Sequence, residues 1–496
     1  MSAIDPTGYE PSWYTATMLP SQRRPRLTFD LDVDVCVVGA GLAGLTTARE
    51  LAQRGWSVAV LEAERIAWQA SGRNSGFVLP GFTESPDRII ERVGIEHARA
   101  LWALAESGVD YVRATILETG MPGVDPVPGW LQVSKSKDAD GFLAHIDVLA
   151  GKLGLDIEVW SIERVRSVLH NRSYFYGLHF PRAFHLHPLN YALGLAAAAE
   201  AAGARIFEDT PAVSIDAAGV RKRIGTPAGR VRAAHVVLAG NTGLGPLMPE
   251  LAASVLPITT YAVTTAPLGD RLSEAIAYLG AVSDSQNADS HYRIVDDNRL
   301  LWTGRLTTWQ SEPERHVKSI TAEIHRLYPQ LGEVEIEHAW AGTMGFAVHK
   351  MPQIGEVSPG LWLAGGFGGR GINTTAMAGV LIARGIAERD RTWRLFSPYE
   401  LVWAGGAFVR TAVQVSYWAN RAGESIRAKL VTRRRRSARE RRTASTKAAA
   451  INEAESASPQ TVEAGSPAPA RHALADAGPE PLARTEMRLS GSRDAP

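Results

Sequence analysis

A glycine-rich segment near the N-terminus has the residue types and spacing that bind a dinucleotide. It reads Gly39-Ala40-Gly41-Leu42-Ala43-Gly44, follows an apolar stretch and opens a helical pattern. Gly39 permits a tight turn, Gly41 lets the backbone approach a pyrophosphate, and Gly44 lets the helix pack closely on the strand. Glu62 ends a second apolar stretch, at the distance of an acid that accepts hydrogen bonds from both ribose hydroxyls. These residues predict a nucleotide site that is compatible with either NAD or FAD.

The segment after Glu62 is rich in small and hydrogen-bonding residues. It reads Ala70-Ser71-Gly72-Arg73-Asn74-Ser75-Gly76. Such a segment lets backbone atoms run close beside a pyrophosphate or a flavin ring, and a surface turn is the alternative interpretation.

Alternating strands and helices are needed to position these segments. Periodicity predicts a strand over Val33–Val38, a helix over Leu42–Arg54 and a strand over Ser57–Leu61. The middle of the chain is β-rich in Ile258–Thr265, Leu300–Thr307 and Glu335–Trp340, and predicts an antiparallel sheet. The fold class is therefore predicted to be α/β: a Rossmann-like domain with an inserted antiparallel β-rich domain, followed by a helical and disordered C-terminal extension.

Charge and cysteine content exclude several functions. The net charge is +1 over 496 residues, but residues 427–447 hold ten basic side chains and one acid, and residues 1–426 carry about −5. The mildly acidic body argues against nucleic-acid binding. A single cysteine, Cys36, excludes an intrachain disulfide, a Cys-based zinc site and an iron–sulfur cluster, and no metal is expected. No apolar stretch reaches signal-peptide or membrane-span length, so we expect a soluble, cytoplasmic protein.

Eight short motifs follow one another along the chain. They are Ser12-Trp13-Tyr14, residues 34–41, residues 61–66, residues 70–74, His187-Pro188-Leu189, Arg299-Leu300-Leu301, Pro329-Gln330-Leu331 and residues 366–371. Together they resemble the FAD-dependent oxidoreductases of the D-amino-acid oxidase/glycine oxidase (DAO) superfamily, and within it the gamma-glutamylputrescine oxidoreductase branch. The resemblance implies an FAD cofactor. Because Cys36 lies in the first predicted strand and residues 71–76 include no histidine, we expect the FAD to be non-covalent.

The resemblance also implies which positions bind FAD. The glycine segment would hold the pyrophosphate, Glu62 the adenosine ribose, and Val213 the adenine through its backbone. The last helix would direct its first N–H groups at the flavin C2 carbonyl, where its dipole favours negative charge. The full set of predicted FAD-binding residues is Gly39, Ala40, Gly41, Leu42, Ala43, Gly44, Glu62, Ala63, Ser71, Arg73, Asn74, Ser75, Val213, Ala239, Gly240, Gly369, Arg370, Gly371 and Ile372.

On this basis the chain is divided into four parts. Residues 1–31 form an N-terminal arm, 32–394 the oxidoreductase region, 395–436 a basic amphipathic extension and 437–496 a disordered tail. Within the oxidoreductase region, the FAD-binding segments are about 32–85, 185–250 and 340–394, and the substrate-domain segments are about 86–184 and 251–339.

Aromatic side chains of the β-rich segments are candidates for substrate binding. Tyr261, Tyr292, Trp302 and Trp340 could form an apolar pocket with a cation–π surface for an amine. Core packing is the alternative for each of them, because aromatic side chains dominate β cores.

Four cationic side chains are candidates for substrate binding or catalysis. Arg293 and Arg305 could clamp a substrate carboxylate, with surface salt bridges as the alternative. Lys350 and Arg370 are close in sequence to the flavin-facing motifs and could favour negative charge on flavin or oxygen species. We therefore take Arg370, Lys350 and Arg305 as catalytic candidates.

The predicted function is oxidation of a C–N bond in an amine or amino acid, such as a gamma-glutamylputrescine-like compound. A hydride would pass from the carbon beside a neutral amine nitrogen to flavin N5, and water would hydrolyse the imine. Molecular oxygen or another acceptor would reoxidise the flavin. An FAD-dependent tRNA aminomethyl-modifying enzyme and a non-catalytic flavin-binding protein remain alternatives. No nucleic-acid partner is expected, and residues 405–442 could make weak contact with a membrane surface.

Overall fold

The computed structural model describes residues 8–245, 247–284, 290–296, 298–406 and 409–416. The chain divides into two units, Met1–Ser425 and Ile426–Pro496. The predicted disordered tail, 437–496, and the Arg-rich part of the predicted extension lie outside the described residues.

Strands and helices alternate in the first part of the chain and strands dominate its middle. The strands are β1 (Leu31–Val38), β2 (Val58–Leu61), β3 (Phe77–Val78), β4 (Val127–Ser134), β5 (Glu158–Trp160), β6 (Tyr176–His185), β7 (Arg205–Phe207), β8 (Ser214–Asp216), β9 (Lys222–Gly225), β10 (Arg230–Leu238), β11 (Val255–Thr265), β12 (Ala281–Asp284), β13 (His291–Val295), β14 (Arg299–Thr307), β15 (Ile336–Ala347), β16 (Gln353–Ser358) and β17 (Leu361–Gly365). The α-helices are α1 (Trp13–Ala16), α2 (Leu42–Gln53), α3 (Ala70–Arg73), α4 (Pro86–Val93), α5 (Ile95–Thr119), α6 (Ala139–Ile146), α7 (Ile162–Val168), α8 (Pro188–Ala201), α9 (Pro249–Ala252), α10 (Asp270–Ala275), α11 (Glu314–Leu327) and α12 (Gly371–Glu388).

The glycine segment directly follows β1, a central strand of the first sheet. The order of this sheet is β16-β17-β10-β1-β2-β7, with β9 antiparallel to β10 and β8 antiparallel to β9. Strands β17, β10, β1, β2 and β7 are mutually parallel. Both faces of β1 are covered: Val35 and Val37 pack into one apolar core, and Cys36 and Val38 into another. This double burial explains the uninterrupted apolar run and confirms the predicted Rossmann-like arrangement.

The second sheet is built from the middle of the chain. Its order is β15-β11-β14-β13-β12-β4-β6-β3, with β5 on β6. Its pairs are antiparallel, as predicted, apart from the parallel pair of β4 and β12. One face contributes Trp130, Leu301 and Trp340 to the core shared with the first sheet and its helices, whereas the other face has its own core, which includes residues of α11. Strands β3 and β15, which lie in segments assigned to FAD binding, pair with this second sheet.

Helix α12 packs against α2 and α5 at positions occupied by small residues. A Cβ built on Gly379 would lie 2.5 Å from the Thr46 Cβ, and one on Gly108 of α5 would lie 2.1 Å from the Asn373 carbonyl oxygen. The middle of α12 is thereby held close to α2, and its start is held close to α5. None of the described helices is long and apolar enough to cross a membrane.

The described part of the N-terminal arm is integrated into the fold. Tyr9, Trp13 and Tyr14 are buried, and a capping box formed by Ser12 and Thr15 begins α1.

Candidate active site

The glycine segment forms a tight turn between β1 and α2. Gly39 has a φ of +105°, which favours glycine, and a Cβ on Gly44 would lie 2.0 Å from the Gly39 carbonyl oxygen. Helix α2 begins at Leu42, and its N-cap residue, Gly41, has no capping side chain. The first N–H groups of α2 and its dipole therefore favour an anion at this point. Ala40, Leu42 and Ala43 are buried, so their backbone is the part that this turn presents.

Glu62 directly follows β2 and reaches back to this turn. Its carboxylate accepts the Ala40 N–H at 2.7 Å and the Glu64 N–H at 3.1 Å. Burial raises the pKa of the Glu62 carboxyl above its usual range. A carboxylate that meets the turn between a first strand and its helix is placed as the ribose ligand of a dinucleotide would be.

Two other predicted contacts of the nucleotide end lie around the same sheet. Ala239 and Gly240 follow β10, and the Ala239 N–H donates to the Val38 carbonyl at 2.8 Å. Val213 is 53% exposed, and its N–H donates to the Gly225 carbonyl at 2.8 Å. Because the Val213 N–H is already hydrogen-bonded, the Val213 carbonyl is the backbone group that is left for the predicted contact with adenine.

The segment 70–76 is shaped by its own side chains. The Asn74 amide donates to the carbonyls of Ala70 and Ser71, both at 2.9 Å, and its oxygen accepts the Gly76 N–H at 2.8 Å. The Ser71 hydroxyl accepts the Leu42 N–H at 3.1 Å, which joins the segment to the start of α2. Asn74 therefore has a structural role beside its predicted FAD contact, and the segment lies beside the predicted phosphate site.

Arg73 extends from this segment between the arm and the second sheet. It pairs with Glu10, and its guanidinium carbon lies 5.4 Å from the Trp68 ring centroid. Its Nη2 atom is buried and has no hydrogen-bond partner among the described residues. A buried donor of this kind fits a site that an anionic group completes.

The start of α12 is open. A Cβ built on Gly369 or Gly371 would meet no atom within 4 Å among the described residues, and the N-cap residue, Arg370, makes no capping hydrogen bond. The Gly369 N–H donates to the Thr83 hydroxyl at 2.9 Å, while Ile372 is buried. This helix end offers N–H groups and a partial positive charge to a ligand.

Strand β15 connects the two halves of the site. A Cβ on its Gly342 would lie 3.4 Å from the Arg73 Cβ, and the Gly345 carbonyl accepts the Gly368 N–H at 3.0 Å. The glycine turn, the Glu62 carboxylate and the open start of α12 are thus connected through segment 70–76 and β15. This donor set fits an elongated dinucleotide with a ring system that accepts negative charge.

One face of the second sheet covers this region. The Trp340 indole N–H donates to the Arg73 carbonyl at 3.0 Å, and the Arg370 guanidinium carbon lies 4.6 Å from the Trp130 ring centroid. The His291 and Phe77 rings meet edge to face, with their centroids 5.8 Å apart. Three of these residues, Trp130, His291 and Phe77, were not among the predicted site residues, because they lie on other strands than Trp340 and the pairing of distant strands decides which face they share.

Arg293 lies on the same side of the sheet and is 5% exposed. Its Nη1 is 2.7 Å from His185 Nδ1, its Nη2 donates to the Tyr14 hydroxyl at 3.2 Å, and its Nε has no partner among the described residues. No carboxylate of the described residues is paired with it. Burial and the Arg293 charge lower the pKa of His185 to about 3.

Three of the predicted substrate-binding aromatics lie on the opposite face. Tyr292 stacks on Trp302 with ring centroids 4.4 Å apart, and its hydroxyl lies 2.6 Å from that of Tyr328. The Tyr261 hydroxyl lies 2.8 Å from that of Ser311. All three belong to the core that includes α11 residues. They are therefore core-packing residues, which was the alternative interpretation of these aromatic side chains.

Two predicted catalytic residues, Arg305 and Lys350, also do not lie on the face of the second sheet that covers the candidate site. Arg305 hydrogen-bonds Ser319 of α11 and pairs with Glu323, so Arg293 and Arg305 cannot clamp one carboxylate from a shared face. Lys350 is exposed in the turn between β15 and β16. Arg370, Trp340 and Arg293 are the candidates that the structure does bring to this side of the sheet.

The sequence model of the DAO family, described as FAD dependent oxidoreductase, matches residues 34–385. The chain belongs to this family. This DAO-family chain is 31% identical over 427 residues to the gamma-glutamylputrescine oxidoreductase of Escherichia coli K12, a match that covers 84% of this chain and 99% of the relative. It is 30% identical over 406 residues to the probable oxidoreductase OrdL of Haemophilus influenzae, covering 79% and 93% of the two chains.

The fold of this DAO-family chain also matches a solved structure. Glycine oxidase from Geobacillus kaustophilus superposes with a TM-score of 0.64 at 23% identity, covering 75% of this chain and 99% of that one. The chain is therefore an FAD-dependent oxidoreductase with the DAO fold. The individual FAD contacts given above, and the non-covalent attachment of FAD, remain predictions.

Proposed function

We propose that this enzyme oxidises the carbon–nitrogen bond of a gamma-glutamylputrescine-like amine or of an amino acid. The observation that carries the proposal is the match to the E. coli gamma-glutamylputrescine oxidoreductase, which extends over 99% of that protein. The family match over residues 34–385 runs through the segments that build both sheets.

The reaction requires few groups from the protein. FAD, when bound, supplies a two-electron acceptor for a hydride. The hydride leaves the carbon next to a neutral amine nitrogen, and the nitrogen lone pair forms the C=N bond of an iminium ion, which releases its N–H proton to water to become the imine. Water then hydrolyses the imine to a carbonyl compound and the free amine or ammonia. Two electrons and two protons finally pass to molecular oxygen, giving hydrogen peroxide, or to another acceptor.

The residues of this chain create the environment for that step. Trp130 and Trp340 are buried to within a few per cent and keep water from the covered face of the sheet. Arg293 places a positive charge behind this wall, and Arg370 places another at the start of α12. Two cations favour a substrate that carries a carboxylate and disfavour an ammonium ion, so we expect the amine to react in its neutral form.

The test is an anaerobic absorbance titration of the purified holoenzyme with gamma-glutamylputrescine, followed by glycine, proline and other amino acids. Putrescine, which lacks the glutamyl carboxylate, is the matched control compound. Bleaching of the flavin bands by gamma-glutamylputrescine but not by putrescine would support the proposal, and admitting air would test oxygen as the acceptor. Flavin that no amine or amino acid bleaches would contradict it and direct attention to the tRNA-modifying alternative, which an RNA mobility-shift assay tests.

A further inference from the structure

A row of directly opposite residues crosses the second sheet. His291 on β13 lies opposite Ser283 on β12 and opposite Thr303 on β14. Thr303 in turn lies opposite Ala262, and Ala262 lies opposite Trp340. Directly opposite residues project from the same face of a sheet.

The contacts of Trp340 and His291 show on which face of the second sheet this row lies. Trp340 donates its indole N–H to the Arg73 carbonyl, and the His291 ring meets Phe77, which follows segment 70–76. The side chains of His291 and Thr303 therefore point toward the segment predicted to border the flavin.

Two polar atoms of the row have no partner among the described residues. They are His291 Nδ1 and Thr303 Oγ1, and both are buried. The neighbouring Ser283 hydroxyl, in contrast, accepts the Trp130 indole N–H at 2.6 Å. Buried polar atoms are nearly always paired in folded proteins, so unpaired atoms on two directly opposite residues of a covered face indicate a ligand that forms hydrogen bonds.

The charge state of the imidazole suits an uncharged donor. Burial, with a contribution from the Arg370 charge, lowers the pKa of His291 to about 3. The ring is therefore neutral at neutral pH, and a neutral imidazole offers a lone pair on one of its nitrogens. A hydroxyl such as that of Thr303 also accepts a hydrogen bond.

We propose that His291 and Thr303 bind the amine nitrogen of the substrate, with His291 Nδ1 and Thr303 Oγ1 accepting its N–H groups. This inference rests on the proposed function of the enzyme as an amine or amino-acid oxidase. With both N–H groups of a neutral primary amine engaged in this way, the nitrogen lone pair stays free. That lone pair is the one that forms the C=N bond as the hydride leaves.

Three compounds of similar size, each built on a central carbon that carries no hydrogen, separate the contact with the nitrogen from the other contacts. 2-Aminoisobutyrate carries an amine and a carboxylate, tert-butylamine carries the amine alone, and pivalate carries the carboxylate alone. None has a hydrogen on the carbon that bears these groups, so none can be oxidised there. Binding to the oxidised holoenzyme is measured from the change in flavin absorbance and by calorimetry, which do not depend on turnover.

We expect His291→Leu to weaken the binding of 2-aminoisobutyrate and tert-butylamine about tenfold, which corresponds to about 1.4 kcal/mol. Pivalate binding should stay within about twofold of wild type. His291→Asn should recover part of the loss, because its amide oxygen can accept from the same position. Thr303→Val removes the second acceptor at nearly constant volume and should show the same selectivity if His291→Leu fails to fold.

His325→Asn is the matched control, since His325 is exposed on α11, and should leave all three affinities unchanged. Equal weakening of all three compounds by His291→Leu and by Thr303→Val would show a structural role and overturn the inference. Unchanged affinities in both variants would overturn it as well. If the wild-type enzyme itself is bleached by no amine or amino acid, it is the proposed function that fails.

Discussion

Substitution of Glu208 by glutamine should test how the N-terminal arm is held against the nucleotide-binding segment. Glu208 is fully buried after β7. Its carboxylate accepts the Arg65 Nε–H at 2.9 Å, the Ile66 N–H at 2.8 Å and the Arg24 N–H at 2.7 Å. One carboxylate thus joins β7, the segment that follows Glu62 and the arm.

The expected magnitude follows from burial. Glu208→Gln keeps the size of the side chain but removes the negative charge opposite Arg65, which is itself 5% exposed. Removing one partner of a buried ion pair costs about 3–5 kcal/mol, whereas an exposed pair contributes about 1 kcal/mol or less. We expect E208Q to lower the free energy of unfolding by about 3 kcal/mol. Glu200, which pairs with Arg24 at 3.0 Å but is 34% exposed at its side chain, provides the control variant E200Q.

The assay is urea unfolding of both holoenzyme variants, followed by tryptophan fluorescence and by release of flavin. E200Q should lower the free energy of unfolding by less than about 1 kcal/mol. E208Q should also release its flavin at a lower urea concentration than E200Q, because the segment after Glu62 loses its anchor. Equal and small losses for the two variants would refute the reasoning from burial.

Three further predictions concern the glycine turn, the ribose ligand and a buried histidine. Gly44→Ala should abolish recovery of folded flavoprotein, because its Cβ would lie 2.0 Å from the Gly39 carbonyl oxygen. Flavin absorbance per protein measures this, and Gly243→Ala is the control, because Gly243 is exposed, lacks a positive φ and offers space in which a Cβ meets no described atom within 4 Å. Glu62→Gln should weaken FAD binding about tenfold to a hundredfold, as measured by the fluorescence of released flavin, since hydrogen bonds to a charged group contribute about 1.5–3 kcal/mol. The pKa of His185 is lowered to about 3, so between about pH 6.5 and pH 3 this histidine takes up a proton in the unfolded chain but not in the folded protein. This group should therefore reduce the free energy of unfolding by about 1.4 kcal/mol for each pH unit of acidification in that range. His185→Asn should remove that slope in urea unfolding at pH 5 and 6, and an unchanged slope would contradict the assignment.

Much of the first sheet could be predicted because its signals are local. The apolar run of β1, the glycine turn and the helix after it are consecutive in sequence, and their pattern depends on the sterics of adjacent residues. Strand β15, in contrast, is predicted only in part by local patterns. Periodicity predicts a strand only as far as Trp340, whereas the strand extends to Ala347 through Gly342 and Gly345. Glycine weakens a strand pattern, and at Gly345 it is required because a Cβ there would lie 2.5 Å from the side-chain oxygen of Asn241.

By itself, the sequence determined that the protein binds a dinucleotide and which segment forms the turn, because a few consecutive residues contain the whole steric requirement. Only the tertiary structure decided which side chains of the second sheet face the site. Successive residues of a strand point to opposite faces, so Arg293 faces the site while Tyr292 beside it packs against the other core. Arg305 has a φ of +65° next to a register shift in the pairing of β11 with β14, and it contacts α11. A shift of one residue changes the face of a side chain, and the position of that shift depends on how distant strands pair.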